Sequence, residues 1–282
     1  MNFRNQQAEI YIPDGLDEKS ALSRTTHLAI GAHQDDLEIM AIDGILQCFH
    51  HPNKWFTGVV VTDGSGSPRS GVYANYTDAQ MMAVRMCEQK KAAEIGEYAA
   101  QLLLKYPSSA VKDGNNTDPV IDLTTCIQAT QPQVIYTHNL ADKHPTHVGV
   151  AVKVIRALRL LPQNVRPEKL YGCEVWRGLD WLRDSAKVAL DCSLKENLQT
   201  TLIGVFDSQI SGGKRYDLAT MGRRVANATY YASHGVDDAE GLTYAMDLTP
   251  LIYDVDLDIK LYVQTFIHQF SQDVDDLISS VE

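Results

Sequence analysis

The stretch His27-Leu28-Ala29-Ile30-Gly31-Ala32-His33-Gln34-Asp35-Asp36-Leu37-Glu38 changes character halfway. Its first part, His27–Ala32, is an apolar run of strand length. A polar loop follows, then a helical pattern from Asp36 to Phe49. The same alternation recurs downstream. Trp55–Thr62 reads as a second strand that leads into a Gly/Ser-rich loop, Asp63–Gly71. A long helical pattern occupies Asp78–Ile95, with Met82, Met86, Gln89, Ala93 and Ile95 near its inner face and Gly96 closing it. Ala99–Lys105 is a third strand, Val120–Ala129 a helix and Val134–Thr137 a fourth strand. After Pro145, the residues Val148, Ala151, Val152, Ile155 and Leu158 fall on one face of a further helix. Strand and helix alternating at this spacing predict an α/β fold: a Rossmann-like parallel sheet sandwiched by helices.

The second half is less regular. Lys169–Val175 and Val188–Cys192 read as strands, and Glu196–Gln209, Leu218–Ala232 and Leu261–Phe270 as helices. No linker, internal repeat or low-complexity tract separates the halves. The expectation is one α/β domain over 1–282, with residues 1–26 as an N-terminal extension. About 160–282 form a C-terminal elaboration that shapes the substrate pocket.

With 25 Lys+Arg against 36 Asp+Glu among 282 residues, the net charge is 25 − 36 = −11. That balance disfavours a nucleic-acid partner, whose binding rests on cationic side chains neutralising phosphates. Hydrophobic content of 44% and charged content of 22% are ordinary for a globular protein and argue against disorder. The five cysteines, Cys48, Cys87, Cys126, Cys173 and Cys192, are odd in number and contain no CxxC pair. They read as reduced, buried thiols of a cytoplasmic protein. The first 26 residues carry seven charged side chains and no apolar block of signal-peptide type, and no apolar run is long enough to cross a membrane.

In an open parallel sheet, ligands gather beyond the C-terminal ends of the strands. Three segments fall on that edge: Ala32–Glu38, Asp63–Arg69 and His138–His147. A fourth, Asp238–Gly241, cannot be placed by this argument. The first and third together hold a metal set. His33 and Asp36 are three apart in a tight loop, and His144 and His147 three apart at a helix start. Imidazole and carboxylate suit Zn²⁺ or Fe²⁺, and three protein ligands with positions left for water are a catalytic arrangement. Asp35, adjacent to Asp36, points elsewhere. A lone histidine at a helix start is more often a cap, and Asp-Asp before a helix commonly complements its dipole. What favours the metal is the coincidence of HxDD and HxxH at two strand ends. No GxGxxG, P-loop or GxSxG motif is present, so nucleotide binding and serine catalysis have no support. Ser211-Gly212-Gly213-Lys214 reads as a turn. Trp176, Arg177, Trp181 and Arg183 could line a sugar site, since aromatic faces stack on sugar rings, but a tryptophan pair in the core beside solvated arginines is the favoured reading.

AHQDDLE (Ala32–Glu38) resembles the AHPDDxE signature of the PIG-L/LmbE-like de-N-acetylases, and DKHPTH (Asp142–His147) resembles their HPDH element. SPRSG (Ser67–Gly71) is similar to their arginine-bearing GTRG loop, and Arg85-Met86-Cys87-Glu88 suits the helix after it. The resemblance runs over roughly Leu28–Leu158; beyond it only Ala239–Gly241 is weakly similar to a segment near the family's pocket. It implies His33, Asp36 and His147 as zinc ligands (Fe²⁺ being the alternative) and Asp35 as general base. It implies a protonated His144 as general acid or oxyanion stabiliser, and Arg69 as a substrate contact. Zinc lowers the pKa of a bound water from 15.7 to roughly 7, and an unperturbed Asp35 near ~3.9 stays ionised to accept its proton. The implied activity is removal of an N-acetyl group from an N-acetylglucosamine-type small molecule, releasing acetate and a free amine. The alternatives are an amidase acting on another amide, such as a thiol-conjugate, and a non-catalytic zinc- or sugar-binding relative. The implied partner is the amino-sugar substrate, with a homo-oligomer by analogy. Three departures stand out. Gln34 replaces a proline and is expected to loosen the ligand loop. Thr146 replaces the aspartate that pairs with the histidine at 144, a role Asp142 is placed to take over. Ala41-Ile42-Asp43-Gly44 stands where a glycine pair is expected.

Overall fold

The computed structural model describes residues Met1–Glu282. Eight strands form one sheet: β1 (Glu9–Tyr11), β2 (His27–Gly31), β3 (Phe56–Thr62), β4 (Ala100–Tyr106), β5 (Val134–His138), β6 (Lys169–Cys173), β7 (Lys187–Asp191) and β8 (Leu242–Asp247). Their order is β1-β4-β3-β2-β5-β6-β8-β7. The five central strands, β4 to β6, are parallel, and antiparallel strands flank them on both edges. The α/β sandwich read from the alternating pattern is therefore present. Its second half extends the same sheet through β6, β8 and β7.

Every residue of β2 and β3 is buried, because helices cover both faces. Successive side chains alternate between the two sides. Leu28 and Ile30 join one core with the helices Asp118–Thr130 and Pro145–Leu160, whereas Ala29 and Val60 join a second core with Ile45, Ala92 and Leu202. The chain winds from β2 through β3 to β4 on one side and returns to place β5 and β6 on the other. The loops leaving β2 and β5 therefore diverge at the point where the strand order reverses, and a crevice opens there.

Several boundaries differ from the sequence reading. The helix expected over Asp36–Phe49 is two, Asp36–Met40 and Ile42–Cys48. At the break, the Arg224 guanidinium donates to the carbonyl oxygens of Glu38 (2.8 Å) and Ile39 (3.3 Å). The helix expected over Glu196–Gln209 also divides, into Glu196–Gly204 and Asp207–Ile210, and the last helix runs much further, Ile259–Ser279. β1 and β8 are absent from the sequence reading. The three residues of β1 are too few to show alternation, and β8 follows a polar loop that masks its start. Cys87 is exposed, contrary to expectation, while the other four thiols are buried and all five are free.

The segment that replaces the glycine pair has its own packing logic. The Tyr136 hydroxyl donates to Asp43 Oδ2 at 2.7 Å, and its ring lies flush against Gly44. A Cβ added at Gly44 meets Tyr136 Cε2 at 2.6 Å. Gly44→Ala is therefore expected to destabilise the fold by about 1–3 kcal/mol, the usual cost of overpacking a filled core. An unchanged denaturation midpoint in urea would show that this contact has slack.

Candidate active site at the β2–β5 crevice

Three chain segments converge where β2 and β5 end. His33 and Asp36 come from the loop after β2, His138 ends β5, and His147 lies in the first turn of the helix Pro145–Leu160. His33 Nδ1 and His147 Nε2 are 3.2 Å apart. Asp36 places Oδ2 at 3.3 Å from His33 Nδ1 and Oδ1 at 3.5 Å from His147 Nε2. Four ligands at about 2.05 Å around a tetrahedral ion are separated by about 3.3 Å along the edges. A nitrogen of His33 and one of His147, each faced by a different Asp36 oxygen, thus stand at the spacing a divalent ion requires. The groups whose single ligand atoms all lie within 4.8 Å of one another are His33, His144 and His147, and Asp36, His138 and His147, so the donor set fits an ion.

The residues behind this cluster hold it in position. His147 Nδ1 donates to Asp142 Oδ2 at 3.4 Å, which turns Nε2 toward His33 and Asp36. Asp142 also accepts from the backbone N–H of His144 (2.9 Å) and of Trp176 (3.1 Å). It does not pair with the His144 ring, whose Nδ1 is buried without a partner. The compensation for Thr146 expected of Asp142 is therefore absent; its carboxylate serves His147 instead. Gln34 does not loosen the loop either. Its side chain donates to Thr62 O at the end of β3, and its carbonyl accepts from Arg85.

Asp35 sits at φ +100°, a left-handed conformation costly for a residue with a side chain. Its N–H is held by Gln89 Oε1 at 3.3 Å. This backbone turn sends the two neighbouring carboxylates apart: Asp36 toward the imidazoles and Asp35 toward Arg85, whose guanidinium lies 3.6 Å from Asp35 Oδ2. Their acidities separate accordingly. Burial pushes Asp35 well above the ordinary carboxylate range, against the opposing charge of Arg85. Burial acts on Asp36 in the same direction, but His147, His138 and His33 outweigh it and hold that carboxyl well below the usual range. Asp35 is thus not the unperturbed acid expected from sequence. Nor is His144 cationic: burial, with the nearby His147 and His33, lowers it to about 4. His138, similarly lowered to about 4 by burial, lies 3.3 Å from Asp36 Oδ2, and its Nε2 accepts the Ala32 N–H at 2.9 Å.

The cluster opens into a cavity of about 460 Å³. His33, Asp35, Asp36, His144 and Thr146 line its inner end, and Arg85, Ser108 and Lys112 add to its wall. Four of the five expected catalytic and metal-binding residues, His33, Asp35, Asp36 and His144, face this space; His147 is fully buried just behind it. Arg69 does not line it. Its guanidinium bonds Ser65 O at 2.8 Å and Asp78 Oδ1 at 2.6 Å, so Arg85 is the arginine that the cavity presents. Asp238–Gly241 lies off the cavity too, with Glu240 and Gly241 bonded to Ser193 Oγ.

The second half supplies side chains that motif reading missed. Trp176, expected in the core, lines the cavity and stacks on His144 with ring centroids 6.1 Å apart. Gln209, Lys214 and Tyr216 close the other side. The turn at Ser211–Lys214 is therefore part of the site. Trp181 packs against the core, and Arg183 pairs with Asp273. His138 was visible as the residue ending β5, but no motif marks it.

No curated protein matches the chain in sequence. The family model described as PIG-L, GlcNAc-PI de-N-acetylase, matches residues 28–158. Among solved structures, the N,N'-diacetylchitobiose deacetylase from Pyrococcus horikoshii aligns at TM-score 0.64 and 16% identity, over 84% of this chain and 88% of that one. The 4-carboxy-2-hydroxymuconate hydratase from Pseudomonas putida KT2440 aligns at 0.60 and 16% identity, over 79% and 95%. A zinc-inhibited form of teicoplanin deacetylase aligns at 0.56 and 14% identity, over 79% and 98%. At these identities the likeness is one of fold, and the fold hosts both deacetylases and a hydratase.

Asp142→Asn removes the charge behind His147 while keeping the shape. Zinc affinity, read by competition with a chelating dye, is expected to fall about 10–100-fold. Unchanged affinity would mean that Asp142 does not orient a metal ligand.

Proposed function

From a chain whose residues 28–158 carry a PIG-L family domain, we propose a metal-dependent hydrolase that removes the N-acetyl group from an N-acetylglucosamine-type small molecule. The observation that carries this reading is the trio His33, Asp36 and His147, with nearest-neighbour ligand atoms 3.2 to 3.5 Å apart, beside a cavity lined by Asp35 and His144. His33, Asp36 and His147 would hold the ion, Zn²⁺ or Fe²⁺. When bound, it acidifies a water and polarises the acyl oxygen.

The remaining chemistry belongs to side chains of this chain. Asp35 accepts the proton of the attacking water. Its raised pKa makes it a better base near neutral pH than an ordinary carboxylate. Arg85, 3.6 Å away, keeps that carboxylate available as the anion. His144 is neutral, so it acts as an N–H donor toward the oxygen that becomes negative, without the full charge of an imidazolium. The proton held by Asp35 must then reach the departing amine, or the tetrahedral adduct reverts. Trp176 offers an aromatic face at the place where the sugar ring meets His144. A cytoplasmic location without membrane or nucleic-acid partners belongs to the same proposal. No helix is long and apolar enough to cross a membrane.

Acetate release from a panel of N-acetylated amino sugars, with metal added and with chelator, tests the proposal. Zinc is titrated from stoichiometric amounts upward, since excess inhibits if this site behaves as in the zinc-inhibited structural relative. Release abolished by chelation is expected, and Asp35→Asn is expected to lose about 10²–10⁴-fold in rate while still binding metal. Parent-level turnover by Asp35→Asn would remove Asp35 from its role. Binding of the panel without any acetate release would favour the non-catalytic alternative.

A further inference from the structure

Next to the metal end, the crevice continues into a second cavity of about 360 Å³ that shares Ile39, Val175, Trp176, Lys214 and Tyr216 with the first. Its charged lining is cationic throughout: Lys143, Lys214, Arg215 and Arg223, with no carboxylate among its walls. Only Arg215 has an acidic partner, Asp217 at 2.7 Å. Arg223 donates to the Val175 carbonyl. Lys143 and Lys214 lie over the Trp176 ring, with Nζ 5.8 and 4.9 Å from its centroid, and neither forms an ion pair. In a chain of net charge −11, four cations around one hollow are against the trend of composition. Their mutual repulsion is relieved by an anion placed between them. Asp35 and Asp36, the carboxylates lining the joined space, belong to the wall of the first cavity alone.

We propose that this second cavity is an anion subsite, holding a carboxylate or phosphate group carried by the same molecule whose acyl-amide reaches the His33–Asp36–His147 end. The proposal deepens the deacetylase reading by naming the charge class of its substrate. Lys143 and Arg215, which line this cavity alone, are the specificity-determining residues. They come from the loop after β5 and from the turn before the helix Tyr216–Thr229, so the subsite exists only where the two halves of the chain meet.

The test uses product-like amines, which cannot be deacetylated, so binding is read independently of turnover. Calorimetric titration of the full, metal-loaded chain compares glucosamine 1-phosphate and muramic acid with methyl glucosaminide, which lacks the acid. At least one acidic probe is expected to bind about tenfold or more tightly than the uncharged counterpart. Whichever of the two prefers the site identifies phosphate or carboxylate. The Lys143→Gln/Arg215→Gln variant, whose two residues line the second cavity but not the first, with folding checked by circular dichroism, is expected to lose that preference while binding methyl glucosaminide as before. Equal binding of acidic and non-acidic probes by the parent overturns the proposal. So does a preference that survives in the double variant, or a variant that loses all three probes alike. Selective binding of the acidic probes by a chain that releases no acetate leaves the subsite standing and removes the deacetylase reading alone.

Discussion

The buried carboxylate of Asp36 is the constraint around which the rest is organised. An isolated carboxylate at 2% exposure would be strongly unfavourable, because nothing in the interior replaces its hydration. Here the His33 backbone N–H reaches Oδ2 at 2.6 Å, and the imidazoles of His33, His138 and His147 surround the two oxygens. Those groups belong to three segments that are far apart in sequence. They meet only because β2 and β5 are hydrogen-bonded neighbours, with Ile30 opposite Thr137. Sheet register is thus what brings His33 Nδ1, His147 Nε2 and the two Asp36 oxygens to nearest-neighbour distances of 3.2 to 3.5 Å.

The same loop resolves a second conflict, between two adjacent carboxylates in one small volume. Left side by side, their charges would oppose each other's ionisation. The left-handed turn at Asp35 points them into different surroundings, one of imidazoles and one with a single guanidinium. That strained turn is held by Gln89, which also donates to the buried Glu38 at 2.9 Å, where the Tyr98 hydroxyl joins at 2.8 Å. A buried polar network of this kind keeps a costly backbone geometry in place.

The C-terminal half builds the outer wall of the crevice through long-range polar anchors. Glu88, on the helix Asp78–Ile95, accepts from the N–H and hydroxyl of Ser208 at 2.7 and 2.6 Å, which docks the short helix carrying Gln209. Arg224 takes the Glu38 and Ile39 carbonyls and bonds Gln199 at 2.7 Å, tying two later helices to the end of the ligand loop. The His33–Asp36–His147 end is therefore a product of the first half, and the space in front of it is walled by both halves.

Local pattern was enough to read the parallel strands, the helices between them and the loops that bear His33, Asp35, Asp36, His144 and His147. Each of those features is governed by short-range periodicity, or by a motif contained within a few residues. The same logic explains what stayed hidden. The resemblance singles out Arg69 as the substrate contact, but Asp78 and Ser65 engage its guanidinium and Arg85 is the arginine that lines the cavity. Beside the helix break at Ala41, the Glu38 and Ile39 carbonyls are taken by Arg224, a partner more than 180 positions away that no local pattern reveals. The raised pKa of Asp35, the neutral state of His144 and the cationic hollow beside Trp176 come from burial and from neighbours across the fold. Residue type and spacing can propose which groups do the chemistry, but desolvation and charge pairing depend on distances in space, and those exist only once the sheet has formed.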